Sequence, residues 1–128
     1  MNFGAKFGPK LGLGVYAVLA FCSLVGASVW ATGQVSIMPA IQDLIANPAA
    51  NYNAWFVATL FDTFYAFGWF WLWIAYKETS WLARGLWLVA VLATGNMAMA
   101  VYALIQLAKL PAGATIEDFL LRRKPAAR

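Results

Sequence analysis

The sequence contains no histidine and a single cysteine. Without histidine, the chain has no imidazole to bind haem, zinc, copper or the magnesium of a chlorophyll, and it cannot form a histidine-dependent catalytic triad. With Cys22 alone, it can form neither an intrachain disulfide nor a Cys-x-x-Cys motif. We therefore expect no metal and no covalently attached cofactor.

Charge is also scarce, and apolar residues take its place. Charged residues make up 11% of the 128 residues and hydrophobic residues 63%, and the mean hydropathy is +0.69. A soluble domain averages about 25% charged and about 45–50% apolar residues, and a small one has too little interior to bury such an excess. The net charge is +4, but no basic stripe with interleaved aromatics lies outside the apolar segments. The composition predicts an integral membrane protein and no nucleic-acid partner.

Three apolar segments are long enough to cross a bilayer. They are residues 11–33, 54–76 and 81–109. A hydrocarbon core about 30 Å thick needs about 20 helical residues, and a backbone in lipid must satisfy its own hydrogen bonds. We expect an all-α fold with one three-helix transmembrane domain (residues 1–110) and a basic tail (111–128). The first segment is too long for the apolar core of a signal peptide, so we expect it to remain as a helix.

The connections carry their own signals. In the first loop, Pro39 can begin a short helix with one apolar face and Asn47-Pro48 must end it. We expect this helix to lie flat on the membrane, with an irregular loop as the alternative. The short second connection, KETSWLAR, predicts a tight hairpin in which Thr79 or Ser80 caps the next helix.

The tail predicts a further helix. Pro111 ends the third span, and Thr115 and Asp118 have the spacing of a capping box, so we expect a short amphipathic helix there. Its basic residues Arg122, Arg123 and Lys124 are candidates for binding an acidic partner surface. The lysines next to the first span favour a cytoplasmic N-terminus, and three spans then place the first loop and the tail outside.

Asp62 is the only ionisable acid or base at membrane depth. Depths counted along the helices bracket it between Asn96 and Tyr102, so we expect a hydrogen bond to one of them. A charged group there is disfavoured by about 2.5–3.5 kcal/mol unless it has a partner. The site is either a proton-carrying or ligand-binding acid, or an interhelical hydrogen bond that holds the hairpin together.

The second span contains the aromatic run FGWFWLWIAY. Trp69, Trp71 and Trp73 are candidates for contact with a lipid, carotenoid, other pigment or quinone. The alternative is an interfacial belt, which is the common use of tryptophan in membrane helices.

Four features of the chain support a resemblance to a known family. They are the intramembrane Asp62, the Lys77-Glu78 turn after the aromatic run, Trp81, and Gly95-Asn96 in the third span. Over about residues 35–110 the chain resembles a family of small bacterial triple-span membrane proteins of unknown function. The resemblance implies the fold and draws attention to Asp62 and Asn96, but it implies no substrate.

No nucleophile–base pair is visible in the sequence, so we expect no enzyme. We expect a non-catalytic accessory subunit of a larger complex, photosynthetic or respiratory, in the bacterial inner membrane. It would pack against other integral subunits and hold lipid, carotenoid or quinone between them. The alternative is a stand-alone oligomeric transporter or lipid-handling protein that uses Asp62 in an intramembrane cavity.

Overall fold

The computed structural model describes residues 9–46 and 54–122, with side chains for 10–46 and 59–122. These ranges contain helices and no strand, which confirms the all-α prediction. The helices are α1 (Pro9–Gln34), α2 (Ile37–Ala46), α3 (Ala54–Lys77), α4 (Trp81–Thr94), α5 (Asn96–Ala108) and α6 (Ile116–Leu120).

The helices α1 and α3 occupy the first two predicted spans. They have 26 and 24 residues, which correspond to about 39 and 36 Å of helix. Among the described helices, only Lys10–Gln34 has both the length and the hydropathy of a membrane span, and a core helix or a signal sequence near the N-terminus can share these properties. The tryptophans, tyrosines and Asp62 of α3 lower its hydropathy.

The third predicted span is different in the structure. In place of one helix over 81–109, α4 and α5 form a hairpin that reverses at Gly95. The rings of Trp87 and Tyr102 are 4.9 Å apart between centroids, whereas a continuous helix would separate these residues by about 22 Å. The C-terminal end of α5 therefore returns to the beginning of α4.

Gly95 explains why the chain reverses at this point. Its φ of 56° and ψ of −122° lie in a region that residues with a side chain avoid. A Cβ atom at this position would stand 2.7 Å from Cζ of Phe67 on α3. Only glycine therefore fits this turn, because a side chain would strain the backbone and would clash with Phe67.

The core lies between α3 and the hairpin. It consists of Ile74, Val91, Ala98, Met99 and Tyr102, with aromatic residues of α3 and Trp87 packed around it. The helix α1 runs antiparallel to α5, its residue Gly14 facing Leu107. The beginnings of α1 and α4 and the ends of α3 and α5 consequently meet at one end of the bundle.

Several local predictions are confirmed. The first loop forms α2, which begins two residues before Pro39 and has no buried residue. Ser80 caps α4, its Oγ accepting a hydrogen bond from the N–H of Ala83 at 3.4 Å. In the tail, Thr115 and Asp118 form the predicted capping box of α6.

Candidate functional site at the basic end

We call the end where α3, α5 and α6 meet the basic end. Within the described chain it carries five cationic side chains: Lys10, Lys77, Arg84, Lys109 and Arg122. Most of the long-range polar contacts of the structure are found here. The site is built around the end of α3, residues 73–78.

A buried hydrogen bond joins α5 to the end of α3. Tyr102 is completely buried, and its hydroxyl donates to Oε1 of Glu78 over 3.0 Å. Its ring makes edge-to-face contacts with Trp73 and Trp87. A buried phenol requires a polar partner, and the first residue beyond α3 supplies it.

The tail helix docks against the same end of α3. Phe119 is buried, and its ring centroid lies 5.2 Å from that of Trp73. The indole N–H of Trp73 donates to the carbonyl of Leu120 at 2.9 Å. Nζ of Lys77 donates to the carbonyls of Phe119 (2.7 Å) and Leu121 (2.9 Å). The side chains of α3 therefore satisfy the carbonyls that α6 leaves unpaired at its C-terminus.

Arg122 makes the reciprocal contact with α3. Its Nε donates to the carbonyl of Tyr76 at 2.8 Å and its Nη2 to the carbonyl of Glu78 at 3.3 Å. Arg84 donates from Nε to the same Glu78 carbonyl at 3.0 Å. Cations near the last carbonyls of a helix are favoured by its dipole, so both arginines stabilise the end of α3.

A small cavity of about 330 Å³ lies between these elements. It is lined by Lys77, Thr79, Gln106, Lys109, Leu110, Asp118 and Arg122. Its lining has three cationic side chains and one acidic one, with the buried amide of Gln106 beside them. Such a set of donors suits binding of an anionic group.

The structure does not bring together Asp62, Asn96 and Tyr102. The hairpin turn packs against Phe67 of α3. Asp62 lies farther along α3 from the basic end than Phe67, and therefore beyond the tip of the hairpin. Tyr102 lies back toward the basic end and donates to Glu78, not to Asp62. Asp62 and Asn96 are both exposed. The expected hydrogen bond to Asp62 relied on a straight third helix, and the reversal at Gly95 removes that geometry.

The three tryptophans proposed as a contact surface lie in different surroundings. Trp69 is 75% exposed. Trp71 is half-buried, donates to the carbonyl of Arg84 at 2.9 Å and borders a shallow groove with Trp69. Trp73 is also half-buried, and it packs between Tyr102 and Phe119. Only Trp69 and Trp71 thus share a surface that a ligand could reach.

Of the three cations proposed for partner binding, the structure describes only Arg122. Arg122 contacts α3 of its own chain, whereas Arg123 and Lys124 lie outside the described residues. The tail helix ends at Leu120, so Arg122 follows α6 and its side chain reaches α3.

Metal ligands do not gather anywhere in the described ranges. No group of three or more Cys, Asp or Glu side chains there could hold a metal ion. Cys22 is exposed on α1.

Two residues that organise this site enter the sequence analysis only as features of the resemblance, without their structural roles. Gly95 was counted within a span, although the pair Gly95-Asn96 interrupts an apolar segment and signals a possible helix break. Glu78 belongs to the predicted turn after the second span, and no sequence signal joins it to a tyrosine of a later helix.

Comparison with known families gives one match. Residues 12–125 match the model of a family described as "Protein of unknown function (DUF1475)". The chain belongs to this family. The DUF1475 match covers most of α1 and of the tail, and so extends beyond the resemblance expected over 35–110. No curated protein and no solved structure matches the chain.

Proposed function

We propose that this DUF1475 protein is an integral membrane protein that acts as a non-catalytic subunit of a larger membrane complex. The observation that carries the proposal is the apolar surface that the described fold leaves uncovered. It is extensive along α1, the helix whose length and hydropathy suit a membrane span.

The exposed surface of α1 needs an apolar environment. Ala17 is the only buried residue among its described side chains. Tyr16, Val29 and Trp30 are 73%, 68% and 69% exposed. Each Å² of apolar surface in water is disfavoured by about 25 cal/mol, so lipid tails or neighbouring transmembrane helices are the surroundings that suit this helix.

The polar contacts of the basic end support a structural role. Trp73, Lys77 and Arg122 direct their donors to backbone carbonyls of the same chain. They hold helix ends in place, which is what a subunit that positions its neighbours requires.

A bound lipid, carotenoid or quinone would fit the outer face of α3. There, Trp69 and Trp71 border a groove of about 370 Å³ together with Tyr65, Gly68 and Leu72. Photosynthetic and respiratory complexes of a bacterial inner membrane are the assemblies in which we would look for the protein first.

The test is extraction from native membranes in mild detergent, followed by native gel separation and mass spectrometry. We expect a large band that contains the protein at fixed stoichiometry with other integral subunits. A band that contains only this chain would contradict the proposal, as would its recovery in the soluble fraction.

A second candidate is a stand-alone oligomeric transporter that uses Asp62. The observation in its favour is that Asp62 is exposed, so that a second copy could enclose it. Asp62→Asn would then abolish transport in proteoliposomes, with Glu117→Gln, another exposed acid, as control. The subunit proposal expects Asp62→Asn to leave the complex and its stoichiometry unchanged.

A further inference from the structure

The hairpin of α4 and α5 is too short to cross a bilayer and returns to the end where it began. Its helices have 14 and 13 residues, about 21 and 20 Å, against a hydrocarbon core of about 30 Å. Its turn at Gly95 packs on Phe67, which lies midway along α3. From Gly85 to Ala108 the sequence has no charged residue.

The turn meets the condition for backbone reversal within a membrane. Non-helical backbone is tolerated at that depth where protein surrounds it. Gly95 is buried, its N–H donates to the carbonyl of Val91 at 2.7 Å, and its carbonyl accepts from the N–H of Met99 at 3.2 Å. The backbone of Gly95 is therefore buried and hydrogen-bonded, whereas the neighbouring residues Thr94 and Asn96 are exposed.

The charged residues of the chain are distributed unevenly between the basic end and the region beyond the hairpin tip. The five described cations all lie at the basic end, together with the acids Glu78, Glu117 and Asp118. Beyond the hairpin tip, the described chain carries the acids Asp43 and Asp62 and no cation.

An apolar groove opens at this end between α1 and α5. It has a volume of about 840 Å³ and is lined by Leu11, Val15, Val18, Leu104, Leu107 and neighbouring residues, with Lys10 at the end where α1 begins. A phospholipid matches this groove, because its apolar acyl chain suits the apolar lining and its anionic phosphate suits Lys10.

We propose that α4–α5 is a re-entrant hairpin, so that the chain crosses the membrane twice, through α1 and α3. The basic end then binds anionic phospholipid headgroups of a single leaflet. The inference rests on the membrane location proposed above. Lysine and arginine accumulate on the cytoplasmic side of membrane proteins, so this leaflet is the cytoplasmic one. The tail then lies on the same side as the N-terminus, whereas three spans would place it on the opposite side.

The topology is tested by labelling single cysteines with a membrane-impermeant maleimide, in a Cys22→Ser background. The sites are Thr79→Cys in the turn after α3, Ala112→Cys before α6, and Ser36→Cys between α1 and α2, all exposed. Right-side-out and inverted membrane vesicles are compared. We expect Thr79→Cys and Ala112→Cys to react from inverted vesicles and Ser36→Cys from right-side-out vesicles, each with at least a ten-fold preference.

Each other outcome has a distinct meaning. Labelling of Thr79→Cys and Ala112→Cys from opposite sides would overturn the re-entrant hairpin and restore a third span. Labelling of all three sites from one side would overturn the two crossings. Absence of the protein from the membrane fraction would instead overturn the proposed function.

The lipid contact is tested by native mass spectrometry of the protein equilibrated with equal amounts of phosphatidylglycerol and phosphatidylcholine. We expect phosphatidylglycerol to be retained preferentially. Lys10→Gln should lower that preference about five-fold, because one basic residue near an anionic surface contributes about that factor. Gln42→Asn on α2, far from the basic end, is the control. Equal retention of both lipids by the unmodified protein would overturn the headgroup contact.

Discussion

In α1, Ala17 is the only buried residue among the described side chains, whereas α3, α4 and α5 share a core of five buried residues. The long-range side-chain hydrogen bonds show the same contrast, since those described join α3, α4, α5 and the tail, and none involves α1. The first helix is specified by its composition and length. The C-terminal part is specified by particular pairs of residues.

This contrast predicts where the molecule is sensitive to substitution. Changes on the exposed face of α1 should have little effect on the isolated chain and should act through lipids or partner subunits. Changes in the C-terminal part should act on the stability of the fold or on the docking of the tail, because each removes a specific contact.

The largest effect is expected for Gly95→Val. Forcing a β-branched residue to adopt a positive φ stores about 1–3 kcal/mol, and the clash with Phe67 adds about 1–3 kcal/mol. Thermal unfolding in detergent should show a markedly lower Tm. Gly85→Ala, a helical position with free space around it, is the control and should unfold at the same or a slightly higher Tm, because alanine is the better helix former. An unchanged Tm for Gly95→Val would mean that the chain does not reverse at this residue.

An intermediate effect is expected for Tyr102→Phe. It removes the buried hydrogen bond to Glu78 and should lower the free energy of unfolding by about 1–2 kcal/mol. Glu78→Gln keeps an oxygen acceptor and should have a smaller effect. Tyr65→Phe, at a 70% exposed position, serves as the matched control. If Tyr102→Phe and Tyr65→Phe unfold alike, Glu78 does not hold α5.

The smallest effect is expected for Thr115→Ala in the tail. Loss of the capping box weakens α6 by about 1 kcal/mol. The tail should then detach more often and be cleaved several-fold faster by trypsin after Arg122, without a change in Tm. Glu117→Gln, in the same helix, keeps the cap and should be cleaved at the original rate. Equal rates for both variants would show that α6 docks independently of its cap.

The difference between the two regions also explains what the sequence could predict. The helices α1 and α3 were predicted nearly to their ends, because length and hydrophobicity are local properties of the chain. The caps at Thr79 or Ser80 and at Thr115 could be predicted because capping acts over three residues.

The reversal at Gly95 could not be predicted in the same way. It depends on Phe67, a residue of another helix, and on a backbone angle that glycine permits but does not require. The apolar pattern on either side of Gly95 is equally compatible with one long helix. A straight helix through Gly95 led to the expectation that Tyr102 lies near Asp62. It also led to the expectation that the tail and the turn after α3 lie at opposite ends of the molecule.

The central claim is that the end of α5 returns to the turn between α3 and α4. The most direct measurement is the distance between spin labels at Thr79→Cys and Lys109→Cys, two residues that line the same cavity, in a Cys22→Ser background. A continuous helix from Trp81 onwards would place the labelled positions about 40 Å apart. The account predicts less than about half of that distance. A distribution centred near 40 Å would contradict it and restore a straight third helix.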